Sequence, residues 1–187
     1  MRSTPPPTYL FATHSEAEHA IHTLASTGID VRHLSLVGTG VQSDEYPQRL
    51  TTVASRIKAW DGVGVFWGGV WSMLLAPAVF FLPGLGPLAI SGPLAGSMVK
   101  AMENPSVGTG ASALDTALIT AGVHRDGLVE FDAALRAEKY ALIFHGSAED
   151  AELIDLFLAP HRWVPVPAAG GLEPVTTIKA RLDCDVT

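Results

Sequence analysis

The chain has 187 residues, enough for one domain with a sizeable core, and its 19 acidic against 12 basic side chains give a net charge of −7. That acidity argues against affinity built on neutralising nucleic-acid phosphates, so nucleic acid is not an expected partner; one cysteine, Cys184, excludes an intramolecular disulfide framework or a thiolate metal cluster within the chain. Hydrophobic residues reach 48% while charged ones make up only 17%, mean hydropathy is +0.28, and the apolar excess is concentrated in one charge-free run over residues 62–99.

In chain order, residues 1–8 with their three prolines form a flexible lead, and the N-terminus lacks the apolar run and cleavage site of a secretory leader. Residues 9–60 make the first half of an α+β domain and its lead-in helix. The short apolar stretch YLFA at 9–12 predicts a buried strand. Ser15 and Glu18 have capping-box spacing for a helix whose apolar face is Ala17, Ala20, Ile21, Leu24 and Ala25, stopped at Gly28. HLSLV at 33–37 is the next strand, and residues 48–60 predict a helix with Leu50, Val53, Ile57 and Trp60 on one face.

Residues 61–103 then hold the charge-free run. It is long enough for about two bilayer-crossing helices, and the turn sequence PGLGP at 83–87 divides it into an apolar helical hairpin over roughly 62–82 and 88–102. Small residues recur every fourth position at Gly64, Gly68, Ser72 and Ala76 and again at Gly92 and Gly96, the spacing that lets helix backbones approach closely. Phe66, Trp67 and Trp71 have the composition of an interfacial aromatic belt, and Phe80 and Phe81 add apolar contact area. Arg56, Lys58 and Lys100 flank the run, which places both ends on the cytoplasmic side of an inner membrane. Three readings stand: a hairpin inserted in or docked on a membrane, the apolar core of a homo-oligomer, and a hairpin buried in a monomer. Pro77, Pro93 and the apolar tip favour shallow or re-entrant insertion over a full span.

Residues 104–160 complete the domain. Helices carry Leu114, Ala117, Leu118 and Ala121, then Leu128, Phe131 and Leu135; YALIF at 140–144 is a strand; Ser147 and Asp150 cap a last helix whose buried side is Ala151, Ile154 and Leu158 with Leu153 and Phe157. FATHSEAEHAIHTL and IFHGSAEDAELIDLF echo one another, each running from a strand through a cap into an acidic, alanine-rich helix. Two such units on one sheet predict a small ferredoxin-like α+β sandwich. Residues 161–187 form an extended C-terminal arm, with Trp163, Val164, Val166, Val175 and Ile178 as its partner-binding residues.

The segments FATHSEAEHAIHTLASTGIDVRHLSLVGTG, VFWGGVWSMLLAPAVFFLPGLGPLAISGPLAG and GASALDTALITAGVHRDGLVEFDAALRAEKYALIFHG together resemble the bacterial general stress protein (heat-induced, YflT-like) domain family, over residues 9–159. The resemblance implies a small α+β domain split by a glycine-zipper-like insert, with no catalytic residues to transfer. In architecture alone the chain is also similar to membrane-stalk subunits that accompany uptake hydrogenases and other quinone-linked complexes.

Catalytic motifs are missing from the sequence. No G-x-S-x-G elbow occurs, and Gly38-x-Gly40 lacks the third glycine and following helix of a dinucleotide loop. His14, His19, His22 and His145 are the metal-ligand candidates, with a His14–His145 pair expected if the echoed turns adjoin, but they fall short of a site. The expectation is a non-enzymatic, membrane-associated oligomeric anchor or scaffold without a resident cofactor. A lipid or quinone is the one small molecule that fits an apolar conduit between its hairpins. The alternative is a soluble stress-response domain that senses metal or pH through its histidines.

Overall fold

The first strand–helix–strand unit comprises β1 (Thr8–Phe11), α1 (His14–Ser26) and β2 (Leu34–Gly38). In the computed structural model, which describes residues 5–39, 57–59, 73–104, 106–107 and 111–164, its echo comprises β6 (Tyr140–Phe144), α5 (Ala148–Leu158) and β7 (Arg162–Trp163). Between them lie β3 (Ile57–Ala59), β4 (Ala78–Leu82), β5 (Gly86–Ile90), α2 (Pro93–Glu103), α3 (Ala111–Thr120) and α4 (Leu128–Arg136). All seven strands join one antiparallel sheet in the order β3-β4-β5-β2-β6-β1-β7, and the protein is α+β.

Strand alternation distributes the side chains to two cores. On one face Tyr9, Phe11, Leu34, Leu36, Val79, Phe81, Leu142 and Phe144 pack against Ala17, Ile21 and Leu24 of α1 and Ile154 and Leu158 of α5. On the other, Val37, Phe80, Leu82, Leu88, Ile90, Ala141 and Ile143 meet Leu94 and Met98 of α2, Leu114 and Leu118 of α3, and Phe131 and Leu135 of α4. The sheet is therefore covered on both sides.

That double burial corrects the expected apolar helical hairpin. Residues 78–82 and 86–90 are the two strands of a β-hairpin, with Phe80↔Leu88 and Phe81↔Pro87 in register. A strand covered on both faces has no polar alternation to show, so its sequence cannot be told from a buried helix by periodicity. Pro83 and Gly84 form the reversal: Gly84 has φ +86°, and Leu85 N–H donates to the Leu82 carbonyl at 3.2 Å, the pattern of a type II turn. Pro93 starts α2 instead of interrupting a helix, because the first helical position needs no N–H.

Three of the residues expected to contact lipid or sister chains, Phe80, Phe81 and Gly92, are buried within the single chain, while Gly96 and Ala76 are exposed. Phe80 and Phe81 are buried in the two cores of the single chain. Gly92, at φ +76°, is the N-cap of α2, where an added Cβ would fall 2.0 Å from the Leu34 carbonyl oxygen. Gly96 faces open space on α2, and Ala76 is exposed with φ +45° ahead of β4. Gly64, Phe66, Trp67, Gly68, Trp71 and Ser72 lie outside the described residues. No helix among the described residues is long and apolar enough to cross a membrane.

Smaller differences have local causes. The capping box of α1 is Thr13 with Glu16, two residues earlier than Ser15 with Glu18: Glu16 N–H donates to Thr13 Oγ1 at 3.3 Å, and Glu16 Oε2 accepts from Thr13 N–H at 3.3 Å. The helix expected over 48–60 does not hold at residues 57–59, which pair with β4 as a strand; residues 48–56 and 60 lie outside the described residues. Residues 161–164, expected to open an extended arm, are placed otherwise, and residues 165–187 lie outside the described residues. His161 stacks on Phe11 at 4.7 Å between ring centroids, and Trp163 pairs with Thr8 and meets Phe131 edge-on at 5.9 Å, so both belong to the folded body.

Candidate functional site

The most polar buried corner lies where β2, the end of β6 and the start of α2 meet. Ser35 is wholly buried, its Oγ accepting the Leu94 N–H at 3.0 Å and lying 2.9 Å from His145 Nε2. The serine thus caps a helix to which it is not adjacent in sequence, and its hydroxyl shares a second hydrogen bond with His145 Nε2 whose direction is set by the imidazole tautomer. The backbone N–H of His145 donates to the His33 carbonyl at 2.8 Å. Burial, with a smaller contribution from the charge of His33, depresses the His145 pKa to about 4.

The Ser35–His145 distance is that of a nucleophile and its base, but Ser35 has no exposed surface through which a substrate could reach it. The corner is structural, and it titrates. Because the folded pKa lies below the ordinary value of 6.5, the unfolded chain takes up the proton first. Stability is fully present above about pH 6.5 and is lost progressively as pH falls toward 4, by at most about 3 kcal/mol for a ring that keeps some solvent contact. Urea midpoints from pH 7 to 4 check this: wild type should fall more steeply than His145→Gln, and parallel curves would contradict it.

The expected His14–His145 pair does not form. β1 and β6 run antiparallel with Phe11 opposite Tyr140 and Thr8 opposite Ile143, so the turns that follow them lie at opposite ends of the sheet. His14 instead meets the Tyr140 ring edge-on at 5.8 Å and lies 3.8 Å from Glu18, which lies 3.9 Å from His22 on its other side. Burial lowers the His14 pKa, opposed by Glu18. His19 turns to the other flank of α1. Among the described residues no three His, Cys, Asp or Glu side chains are placed to hold a metal ion.

The second feature is a surface. α5 buries Ile154 and Leu158, but Leu153 and Phe157, expected on its buried side, are each 48% exposed, and Leu156 is 78% exposed. Spaced i, i+3, i+4, the three form an apolar flank that the sheet cannot cover. Phe157 also walls a groove of about 230 Å³ between α1 and α5, lined with Phe11, Leu158 and Ala20 and with the polar Glu16, His19, Thr23 and His161. On the opposite flank of α5, Asp155 accepts the Tyr9 hydroxyl at 2.5 Å and pairs with Arg162, which ties α5 to the β1–β7 edge. Burial raises the Tyr9 pKa, with Arg162 pulling the other way. The acidic flank is fixed while the apolar flank faces solvent.

Sequence reasoning missed both features for one reason: Ser35 and the outward turn of Leu153 and Phe157 depend on which element lies across from them. The only sequence signal was an apolar set on α5 wider than one buried stripe requires. Of the partner-binding residues expected in the arm, Trp163 is half-buried against Phe131 and Val164 is 69% exposed. Val166, Val175 and Ile178 lie outside the described residues.

No protein-family model, curated protein or solved structure matches the chain.

Proposed function

We propose that this protein is a non-enzymatic scaffold that self-associates and attaches to a membrane surface, with α5 as its assembly face and the Trp/Gly-rich residues 62–72 as the membrane contact. The observation that carries the reading is the exposed flank of Leu153, Leu156 and Phe157 beside a groove of mixed polar and apolar lining, on a helix otherwise fixed by its Asp155 contacts. Large contiguous apolar side chains on a folded surface mark contact sites more often than accidents of packing. The buried hydroxyls support the non-enzymatic part: Ser35, Ser91, Thr39 and Thr8 all bond to backbone groups that hold the fold.

The strand order β2-β6-β1-β7, with α1 and α5 on one face, supports reading the two echoed units as a ferredoxin-like split βαβ pair. In that reading residues 39–139 are an insert whose strands widen the sheet and whose helices cover its second face. A lipid or quinone conduit between paired apolar helices is left out of the proposal, because residues 78–82 and 86–90 are spent on strands.

Light scattering over a concentration series tests the assembly face. The mass of the wild type should rise above that of the 19.7 kDa chain, while Leu156→Glu should stay at it with stability unchanged within about 0.5 kcal/mol. Equal masses for both proteins at every concentration would remove α5 from the proposal. A histidine-based acid response is the second reading, favoured by the buried His145 alone.

A further inference from the structure

We infer that the apolar flank of α5 is covered by the same flank of a second copy of this chain, laid antiparallel about a twofold axis between Leu153 and Leu156, so that assembly closes at two chains; this rests on the proposed role of α5. The exposed side of the helix is charged at one end only. Glu149 and Glu152 stand in its first half, while Leu156 and Phe157, and Ala159 and Pro160 of the turn that follows, are exposed without a charge. His161 and Arg162 come next in the chain. Asp155 lies on the opposite flank, where Arg162 neutralises it.

That polarity sets the orientation of the two copies. Packed helices lie roughly 8–10 Å apart. In a parallel pair each Glu149 and Glu152 would face its own counterpart at about that spacing, between chains that already carry a net charge of −7, and like charges set against one another across an interface oppose it. In an antiparallel pair with Leu153 of one copy over Leu156 of the other, Glu149 lies over Pro160 and Glu152 over Phe157. A rise of about 1.5 Å per residue between positions 149 and 160 then separates the two Glu149 side chains by about 16 Å, beyond the screening length of about 8 Å at physiological salt. The acidic half of each flank meets the uncharged half that leads to His161 and Arg162, so the surface is complementary to itself only when reversed. Such a contact uses the same patch on both chains and leaves none for a third.

Disulfide trapping in the full chain reads the orientation, in a Cys184→Ser background that removes its one native thiol. Mild oxidation of an equimolar mixture of Glu149→Cys and Pro160→Cys should link two chains at least tenfold faster than oxidation of either variant alone. Ala159→Cys, which keeps the proline of the turn, should replace Pro160→Cys with the same result. Glu149→Cys linking to itself as fast as the mixture would mean a parallel pair, and equal rates in all three samples would mean another arrangement; either overturns the inference. The mass of the wild type should level off at two chains, and a mass that climbs past two overturns the closed pair. None of these failures touches the assembly face, which stands as long as the wild type associates and Leu156→Glu does not. A wild type that remains a single chain at every concentration overturns the inference and the assembly face together.

Discussion

Gly92→Ala is expected to destabilise the protein by at least about 3 kcal/mol, enough to leave much of a marginally stable chain unfolded. Gly92 has φ +76° and ψ −162°, a region essentially closed to residues with a Cβ and costing on the order of 1–3 kcal/mol by itself. The methyl group would also meet backbone on every near side: the Leu34 oxygen at 2.0 Å, the Leu34 carbonyl carbon at 2.9 Å and Ser35 Cα at 2.9 Å. β2 cannot yield, because β5 and β6 hold it on its two edges. Any shift would draw Ser35 Oγ away from both Leu94 N–H and His145. Gly96→Ala is the control, one turn further along α2 with nothing within 4 Å of the added methyl group, and it should stabilise by up to about 1 kcal/mol. Urea midpoints should therefore move in opposite directions. If the two alanines behaved alike, Gly92 would not be the close contact described.

Phe80→Ala should cost about 3–5 kcal/mol in detergent-free buffer, because it empties a large volume in the core between the sheet and α2, α3 and α4. For a chain of this length that lowers the melting temperature by roughly 10 °C. The same side chain facing lipid or a sister chain would contribute little to the stability of an isolated monomer. The measurement thus separates an apolar run consumed by the protein's own sheet from one reserved for an outside surface. A variant as stable as wild type without detergent would restore the outside-contact reading for residues 78–90.

The helices α1, α3 and α5 were legible in the sequence because each carries its own stop or start, Gly28 and Gly122 with positive φ and the Ser147–Asp150 cap, and α4 through apolar residues at helical spacing alone. Strands β1, β2 and β6 were legible as short apolar runs between turns, and the echo between the two strand–helix units was a property of the chain alone. The candidate site was far less visible. Leu153 and Phe157 have the same chemistry as Ile154 and Leu158, and only the position of the sheet beneath α5 decides which of them meet water.

What the sequence by itself determined was local: where helices cap and stop, where the chain turns, and that residues 62–99 include no charge. Only the tertiary structure decided that residues 78–90 are strands, that Ser35 and His145 meet, and that His14 and His145 do not. The physical reason is that a wholly apolar stretch carries no periodicity of its own, and takes the form of whatever backbone partners and covering layers the rest of the chain brings to it. Here β2 supplies a pairing edge for β5, and helices on both faces remove the need for any polar side.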